Sequence, residues 1–337
     1  MEMNNAKNGS VYMQKLDVIT IGETMAVFNP IQDLPFTDAY LFMKQIGGAE
    51  SNFAIGLSRL GHKVGWISRL SNDSLGYYIH NTIRGNGVDT SYVEFDDNHP
   101  TGLLIKERLI QNQVNVHYYR NGSAASFMTK DIINEEYFST AKYLFVTGIT
   151  PVLSESCREL IFEAIKVSKR YGLKVIFDPN IRFKLCTDKN EYKKLLNQIA
   201  SLSDYFLPGI QEAKFLSGYN TPEEIAKNYL SLNESLTVVI KLGSKGCYSA
   251  NSLQSNYVKG FEVNKVIDPI GAGDAFAAGF VSGLLEGGNL EKSLEIANLI
   301  GAIVVQSNGD IEGFPNRKQL NEYKKIMIVP SVEEVYR

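Results

Sequence analysis

The sequence predicts an α/β fold built on a mostly parallel central sheet. In the second half, short apolar runs at residues 143–147 and 175–178 alternate with polar stretches of helical length such as residues 155–171. Strands that alternate with helices pair in parallel through right-handed crossovers. Glycine turns at Gly47-Gly48 and at residues 271–273 each precede a helix-forming run. Two loops are therefore expected at the sheet edge where ligands bind.

The first half predicts one buried strand and a second, smaller sheet. Residues 16–23 form a β-branched run that ends in Gly22-Glu23, which is typical of a buried strand leading into a functional loop. Aromatic and polar residues alternate over residues 24–45, and residues 101–119 predict two strands with a turn near Gln111 to Gln113. These segments are expected to form a small sheet outside the main core. Further strands are predicted at residues 64–68, 205–207 and 236–241, and further helices after Gly48, at residues 74–86, from Thr221 and at residues 291–306.

Composition excludes several classes of function. The 34 lysines and arginines nearly balance 37 aspartates and glutamates, so the chain lacks the basic field that general nucleic-acid binding requires. Cys157, Cys186 and Cys247 are scattered and odd in number, which excludes a full disulfide framework and favours a reducing compartment. No apolar run approaches the ~20 residues of a membrane span. We expect a cytoplasmic protein without nucleic-acid or membrane partners, whose residues 1–15 are a flexible leader.

Residues 268–280 are the strongest candidate for chemistry. Gly271 and Gly273 flank one alanine and precede Asp274 and a run of small apolar residues, which predicts a tight loop feeding a buried helix. Backbone N–H groups at such a helix N-terminus suit a phosphate, and glycines let the backbone approach it. A carboxylate beside an anion site is placed to take a proton from an attacking hydroxyl. The alternative is an ordinary loop with Asp274 as the helix N-cap.

The run Asp-Pro-Ile-Gly-Ala-Gly-Asp, which ends at Asp274, resembles the signature of the ribokinase-like sugar kinases, the PfkB family. That family has Asp-Thr-x-Gly-Ala-Gly-Asp. The resemblance implies that Asp274 is the catalytic base and that Gly271, Ala272 and Gly273 form an anion hole. Pro269 replaces the usual threonine and leaves the catalytic positions intact.

The resemblance extends over about residues 16–315. It implies a ribokinase-like three-layer sandwich with a mostly parallel central sheet, in a kinase domain at residues 16–337. It also implies a small β lid, here about residues 24–46 and 101–119, which covers the sugar and serves as the contact of a homodimer or higher homo-oligomer.

A second glycine turn is the candidate sugar site. Gly47, Gly48, Ala49 and Asn52 match the family's N-terminal signature, in which glycines and an asparagine on the next turn hold sugar hydroxyls. The alternative is a plain strand-to-helix turn. The Gly47-Gly48 turn precedes the Asp274 motif at about the distance expected for the family, and this favours the sugar site.

Two cations are expected at the same pocket. Arg182 follows Asn180 at a strand end and could bind a substrate carboxylate or the transferring phosphoryl group, while Arg120 follows Tyr118 in the lid. The alternative for each arginine is an exposed position in a turn or an edge strand. Uncompensated cations favour an anionic substrate, and these motifs look most like those of 2-keto-3-deoxygluconate kinases. Leu104 departs from them, because a substrate-contacting tyrosine is common there.

Nucleotide and metal candidates follow from the resemblance. The run from Lys241 to Gly246 is similar to a Lys-x-Gly-x-x-Gly loop along the nucleotide, with a hairpin turn as the alternative; Asn298 matches a position near adenine, with a structural hydrogen bond as the alternative. Glu212 keeps the glutamate that orders magnesium through water, although Gly209 replaces the usual asparagine. The implied cofactors are ATP and Mg²⁺, with a monovalent cation as an option. The nucleotide-binding candidates are Lys241, Gly243, Lys245, Gly246, Gly271, Gly273 and Asn298.

The leading hypothesis is an ATP-dependent kinase that phosphorylates a primary hydroxyl of a sugar or sugar acid, with 2-keto-3-deoxygluconate as the first choice. A fructokinase or another sugar or nucleoside kinase of the same family is the alternative. A non-catalytic sugar or nucleoside sensor is the alternative of another class, and Asp274 speaks against it because a pure binder needs no base. A nicotinamide-dependent dehydrogenase is excluded, since no Gly-x-Gly-x-x-Gly follows the first strand.

Overall fold

The strands of the computed structural model, which describes residues 15–32, 34–108 and 114–328, form two sheets. The predicted leader up to residue 14 and the predicted turn at Gln111 to Gln113 lie outside the described residues. In chain order the strands are β1 Val18–Ile21, β2 Met25–Pro30, β3 Phe42–Gly47, β4 Val64–Ser71, β5 Val93–Asp96, β6 Leu103–Arg108, β7 Val114–Tyr119, β8 Tyr143–Thr147, β9 Lys174–Asp178, β10 Tyr205–Phe206, β11 Thr237–Lys241, β12 Gly246–Ala250 and β13 Ser255–Lys259.

The large sheet has the order β13-β12-β11-β10-β9-β8-β1-β4-β5. β1 pairs in parallel with β4 on one side and with β8 on the other, and the parallel pairing continues to β11. The antiparallel hairpin of β12 and β13 extends one edge. β1 and β8 are mostly apolar and almost completely buried, as strands covered on both faces are. The predicted mostly parallel sheet is confirmed.

Helices cover both faces of this sheet. The core on one face includes buried residues of α1, α2, α8, α9 and α10, and the core on the other includes residues of α3 to α7. The three-layer sandwich is therefore confirmed. The helices are α1 Ala49–Arg59, α2 Ser74–Gly85, α3 Glu135–Ser139, α4 Glu155–Arg170, α5 Lys189–Ser201, α6 Ile210–Ser217, α7 Pro222–Leu232, α8 Ala272–Leu285, α9 Leu290–Val304 and α10 Arg317–Ile328.

The small sheet, called the lid below after its predicted role, has the order β3-β2-β6-β7. β2 pairs in parallel with β6 and antiparallel with β3, while β6 and β7 form a hairpin. Leu104 is buried with Met25 and Val27 on one face of this sheet, packed against Val116 and Tyr118. No helix in the described ranges is long and apolar enough to span a membrane.

Candidate active site

A cavity of about 320 Å³ lies where the carboxyl ends of several strands of the large sheet meet the lid and the N-terminus of α8. Parallel strands direct their following loops to one edge, which explains why residues far apart in the sequence converge here. All nine candidate substrate residues line this first cavity: Gly47, Gly48, Ala49, Asn52, Tyr118, Arg120, Asn180, Arg182 and Asp274.

Asp274 is the third residue of α8 and is only 7% exposed. Asn52 Nδ2 donates to its Oδ2 at 2.8 Å, and Asn180 Nδ2 donates to its Oδ1 at 3.2 Å. The helix N-cap is Gly271, so the reading of Asp274 as N-cap is wrong. Its carboxylate faces the first cavity, held by two side-chain amides.

Burial raises the pKa of Asp274 to about 7. The nearby carboxylates of Asp178 and Asp310 also contribute to this increase, while the hydrogen bond from Asn52 and the charge of Arg182 oppose it. A carboxyl group with a pKa near neutrality is suited to general-base chemistry, because it is partly ionised and still a good proton acceptor.

The loop before Asp274 has the backbone geometry of an anion site. Gly271 has φ of +81°, in the left-handed region, and a Cβ there would lie 2.7 Å from the carbonyl oxygen of Asp310. Only glycine adopts this conformation so close to another backbone without strain. The first turn of an α-helix has N–H groups without intrahelical acceptors, and Gly271 and Gly273 line the first cavity.

Lys241 stands beside this loop. Its Nζ donates to Asp178 Oδ2 at 2.6 Å, and a Cβ on Gly273 would lie 3.6 Å from the same Nζ. Burial acts to lower the pKa of Lys241, but the carboxylates of Asp178 and Glu212 raise it, and the net direction is upward. The ammonium therefore stays charged next to the anion site.

A second cavity, of about 520 Å³, adjoins the first. The two share Glu212, Lys241, Pro269 and Gly273, so they meet at the start of α8. The walls of the second cavity are mostly apolar, which suits the flat base of a nucleotide. They include Ile210, Phe261, Val263, Val266, Phe276 and Val305.

The nucleotide candidates divide between these cavities. Gly243 and Gly246 line the second cavity and lie where the antiparallel strands β11 and β12 are joined by a hairpin turn. The hairpin turn that was the alternative for this segment is therefore also part of the cavity wall. Asn298 lines it too, while its Nδ2 donates to the carbonyl oxygens of Val258 and Lys259. Gly271 lines the first cavity and Ala272 lines the second. Lys245 is not among the described residues that line either cavity.

Comparison with known proteins identifies the family, since the model of the pfkB family carbohydrate kinases matches residues 15–317. The chain belongs to this family. It is 40% identical to the 2-dehydro-3-deoxygluconokinase of Bacillus subtilis (strain 168), over 92% of this chain and 95% of the relative. It is 31% identical to the 5-dehydro-2-deoxygluconokinase of Clostridium botulinum (strain Eklund 17B / Type B), over 93% and 94% of the two chains. The crystal structure of a PfkB protein from Polaromonas sp. JS666 matches with a TM-score of 0.84 and 38% identity, covering 91% of this chain and 99% of that one. The predictions of a ribokinase-like fold and of a sugar kinase are thereby confirmed.

In this PfkB kinase the lid arginine is already paired. Arg120 Nε donates to Glu23 Oε2 at 2.7 Å, its Nη2 contacts the same oxygen, and both side chains are buried. The expectation of two uncompensated cations is therefore wrong for Arg120. Arg182 is exposed, and its guanidinium donates only to the Ile181 carbonyl within the part of the chain that the structure describes.

Glu212 makes backbone contacts with both carboxylate oxygens. Oε2 accepts the N–H of Gly209 and Oε1 accepts the N–H of Ile181, each at 2.7 Å. The side chain thus caps α6 and ties it to the loop after β9. No group of three or more His, Cys, Asp or Glu side chains in the described ranges could hold a metal ion.

Glu23 and Asp310 are two cavity residues that were not among the candidate site residues. Both line the first cavity. Glu23 lies at the end of a predicted buried strand, and this position could have indicated that it belongs to the site. Asp310 lies in the loop between α9 and α10, where no local pattern indicates a ligand site.

Proposed function

We propose that this sugar kinase transfers the γ-phosphoryl group of ATP to a primary hydroxyl of a sugar acid, with 2-dehydro-3-deoxygluconate (2-keto-3-deoxygluconate) as the first choice. The observation that supports it most is the meeting of a polar and an apolar cavity at the start of α8, beside Asp274. Such a junction brings an acceptor hydroxyl and a nucleotide phosphate together.

Asp274 would accept the proton of the attacking hydroxyl, oriented by Asn52 and Asn180. The N–H groups of the Gly271 loop and the ammonium of Lys241 would stabilise charge on the transferring phosphoryl group. Catalysis would then consist mostly of positioning and electrostatics.

Mg²⁺ would be held mainly by nucleotide phosphates and water, as this ion prefers. Both oxygens of Glu212 accept backbone N–H groups, so we propose that Glu212 acts on the metal only indirectly, through water. A monovalent cation is a further option, tested by comparing rates in potassium and in tetramethylammonium salts. A reaction that uses ATP, and the free thiols of the chain, favour a cytoplasmic protein.

Recognition of a sugar acid would depend on Arg182. Its guanidinium is exposed at the mouth of the first cavity without a carboxylate partner among the described side chains, whereas Glu23 neutralises Arg120. A planar guanidinium binds a carboxylate with two parallel hydrogen bonds. Both relatives named above are kinases of sugar acids by name. Leu104 packs inside the lid and does not line the first cavity.

The test is kcat/KM for 2-dehydro-3-deoxygluconate, 5-dehydro-2-deoxygluconate, fructose and ribose, in the parent and in Arg182→Ala. Arg84→Ala is the control, because Arg84 is exposed on α2 and lines neither cavity. Arg182→Ala should reduce kcat/KM for the acid about 10–100-fold more than for fructose, since a charge-assisted pair is lost. Better turnover of fructose, or an equal loss for both substrates, would replace the proposal with a fructokinase.

A second copy of the chain would pair through the lid. Tyr40, Leu41, Met43 and Tyr119 are exposed apolar side chains on or next to β3 and β7, the two edges of the small sheet. Exposed apolar side chains on unpaired edge strands are typical of interaction surfaces. Light scattering should give the mass of a dimer or higher oligomer, and Met43→Glu with Tyr119→Glu should shift it to that of a monomer. A monomeric parent would refute the pairing.

A further inference from the structure

A buried lysine connects the lid to the loop that precedes Asp274. Lys106 lies on β6 with its side chain only 4% exposed. Its Nζ is 2.9 Å from Asp310 Oδ1 and 3.8 Å from Asp268 Oδ2. One ammonium therefore stands between two carboxylates that belong to different loops.

Each of these carboxylates is fixed against a part of the active site. Asp268 Oδ1 accepts the N–H of Ile270 at 2.9 Å, which closes the turn just before Gly271. Asp310 Oδ2 is so close to Gly47 that a Cβ there would lie 3.0 Å away, and Asp310 itself lines the first cavity. Lys106 thus contacts both the anion-site loop and a wall of the sugar cavity.

Burial raises the pKa of Asp310, and Lys106 is the largest influence in the opposite direction. Asp268 and Asp310 would repel each other in a space with little water to screen them, if no cation stood between them. Removal of the ammonium would force one carboxyl to turn away or take up a proton. Either change would move the Ile270 turn or the cavity wall at Gly47.

We propose that Lys106 is a positioning residue for phosphoryl transfer: its ammonium holds Asp268 and Asp310 together and so keeps the anion-site loop in register with the lid. This rests on the kinase function proposed above. Lys106 lines neither cavity, so it acts through the two carboxylates and not by contact with substrate.

The kinetic test compares Lys106→Met, Asp310→Asn and the double variant with the parent. Lys106→Met should lower kcat about 10–100-fold, somewhat less than the loss of a direct anion-hole donor. In the Asp310→Asn background the same change should cost less than about threefold, because residues that act through one contact are not additive. Lys44→Met is the control, since Lys44 is an exposed lid lysine stacked on Tyr78, and it should leave kcat unchanged.

Two results would overturn the proposal. One is a Lys106→Met enzyme with a lowered Tm but parental kcat and KM values, which would make the ion pair purely structural. The other is a double variant whose fold-loss of kcat equals the product of the losses in the two single variants. If Lys106→Met does not fold, Lys106→Gln takes its place, because it keeps a hydrogen-bond donor and removes only the charge.

Hydrogen exchange on the ligand-free protein separates this proposal from the choice of substrate. In Lys106→Met, amides of β6 and of residues 268–273 should both exchange faster, while those of α7 keep the parental rate. Faster exchange in β6 alone would mean that Lys106 only tethers the lid, and the proposal would fail. A parent that phosphorylates no sugar would refute the kinase function and leave this readout intact.

Discussion

Replacement of Asp274 by asparagine should reduce turnover by orders of magnitude and stabilise the fold at the same time. Burial raises the pKa of Asp274 from an ordinary value of 3.8 to about 7. Because the folded-state pKa is the higher one, the protein loses stability as pH rises from about 4 to about 7 and stays at the lower level above. A shift of roughly three units sets an upper limit of about 4 kcal/mol for this cost.

Asparagine removes the charge and keeps the shape. Asn52 Oδ1 and Asn180 Oδ1 are buried oxygens without hydrogen-bond partners among the described atoms. Rotation of either amide would let its oxygen accept from the amide introduced at position 274, so little hydrogen bonding should be lost. Loss of the general base should reduce kcat by about 10²–10⁴-fold.

The assay is thermal and urea unfolding of the parent and Asp274→Asn between about pH 5 and about pH 8. At about pH 8 the free energy of unfolding of Asp274→Asn should exceed that of the parent by as much as about 4 kcal/mol. This difference should become smaller as the pH is lowered. The matched control is Asp96→Asn. Burial acts to raise the pKa of Asp96, but hydrogen bonds from Asn98 and His99 and the charge of Arg69 lower it overall. Its folded-state pKa lies below the unfolded one, so this stabilisation persists until the pH falls through that lower pKa, and Asp96→Asn should destabilise the protein throughout the window.

A parental or lower stability of Asp274→Asn at pH 8 would refute the burial argument. A difference in stability between the variant and the parent that does not change with pH would refute it as well. Turnover within about tenfold of the parent, on folded protein, would remove Asp274 from the role of base.

Three further results are expected. kcat/KM should rise with pH through an apparent pKa near 7 and then level off, because Asp274 must be ionised to accept a proton; a flat profile would contradict this. Glu212→Gln should lower the free energy of unfolding by about 1–3 kcal/mol in urea titrations, since the carboxylate holds two backbone N–H groups; an unchanged midpoint would argue against capping. Gly271→Ala should cost about 1–3 kcal/mol and lower kcat, because φ is +81° there. Its control is Gly85→Ala in α2, where a Cβ meets nothing within 4 Å and no loss is expected; equal losses in both variants would refute the conformational argument.

The parts of the site that the sequence predicted are those with local patterns. Glycine before a helix-forming run predicts a turn whatever the rest of the chain does, so Gly47-Gly48 and the Gly271 loop could be placed in advance. Alternation of strands and helices then put both loops at one edge of the sheet. The Thr221 helix start is of the same kind, and the structure has the capping box there.

The pairing of charges could not be predicted in this way. Arg120 meets Glu23 across 97 residues of chain, and Lys106 meets Asp310 across 204. Whether a cation is free for substrate depends on such partners, and no local pattern reports them. The prediction for Arg120 failed for this reason, although its place at the cavity was as expected.

The buried carboxylates around the first cavity differ in one respect that separates scaffold from chemistry. Glu23, Asp178 and Asp310 each contact a cation, namely Arg120, Lys241 and Lys106. A buried ionised group needs such a partner, because desolvation otherwise favours its neutral form.

Asp274 is the exception in this cavity. Within the described part of the chain it has hydrogen bonds from two neutral amides and no salt bridge. Glu50 is also buried, and its pKa is raised by burial, but it accepts hydroxyl hydrogen bonds from Thr147 and Thr150 and lines neither cavity. Burial without a cation is therefore not sufficient to mark a base. Asp274 is buried without a cation and also lines the cavity. Its affinity for a proton is therefore not reduced by an ion pair, and it lies where an acceptor hydroxyl would lose its proton.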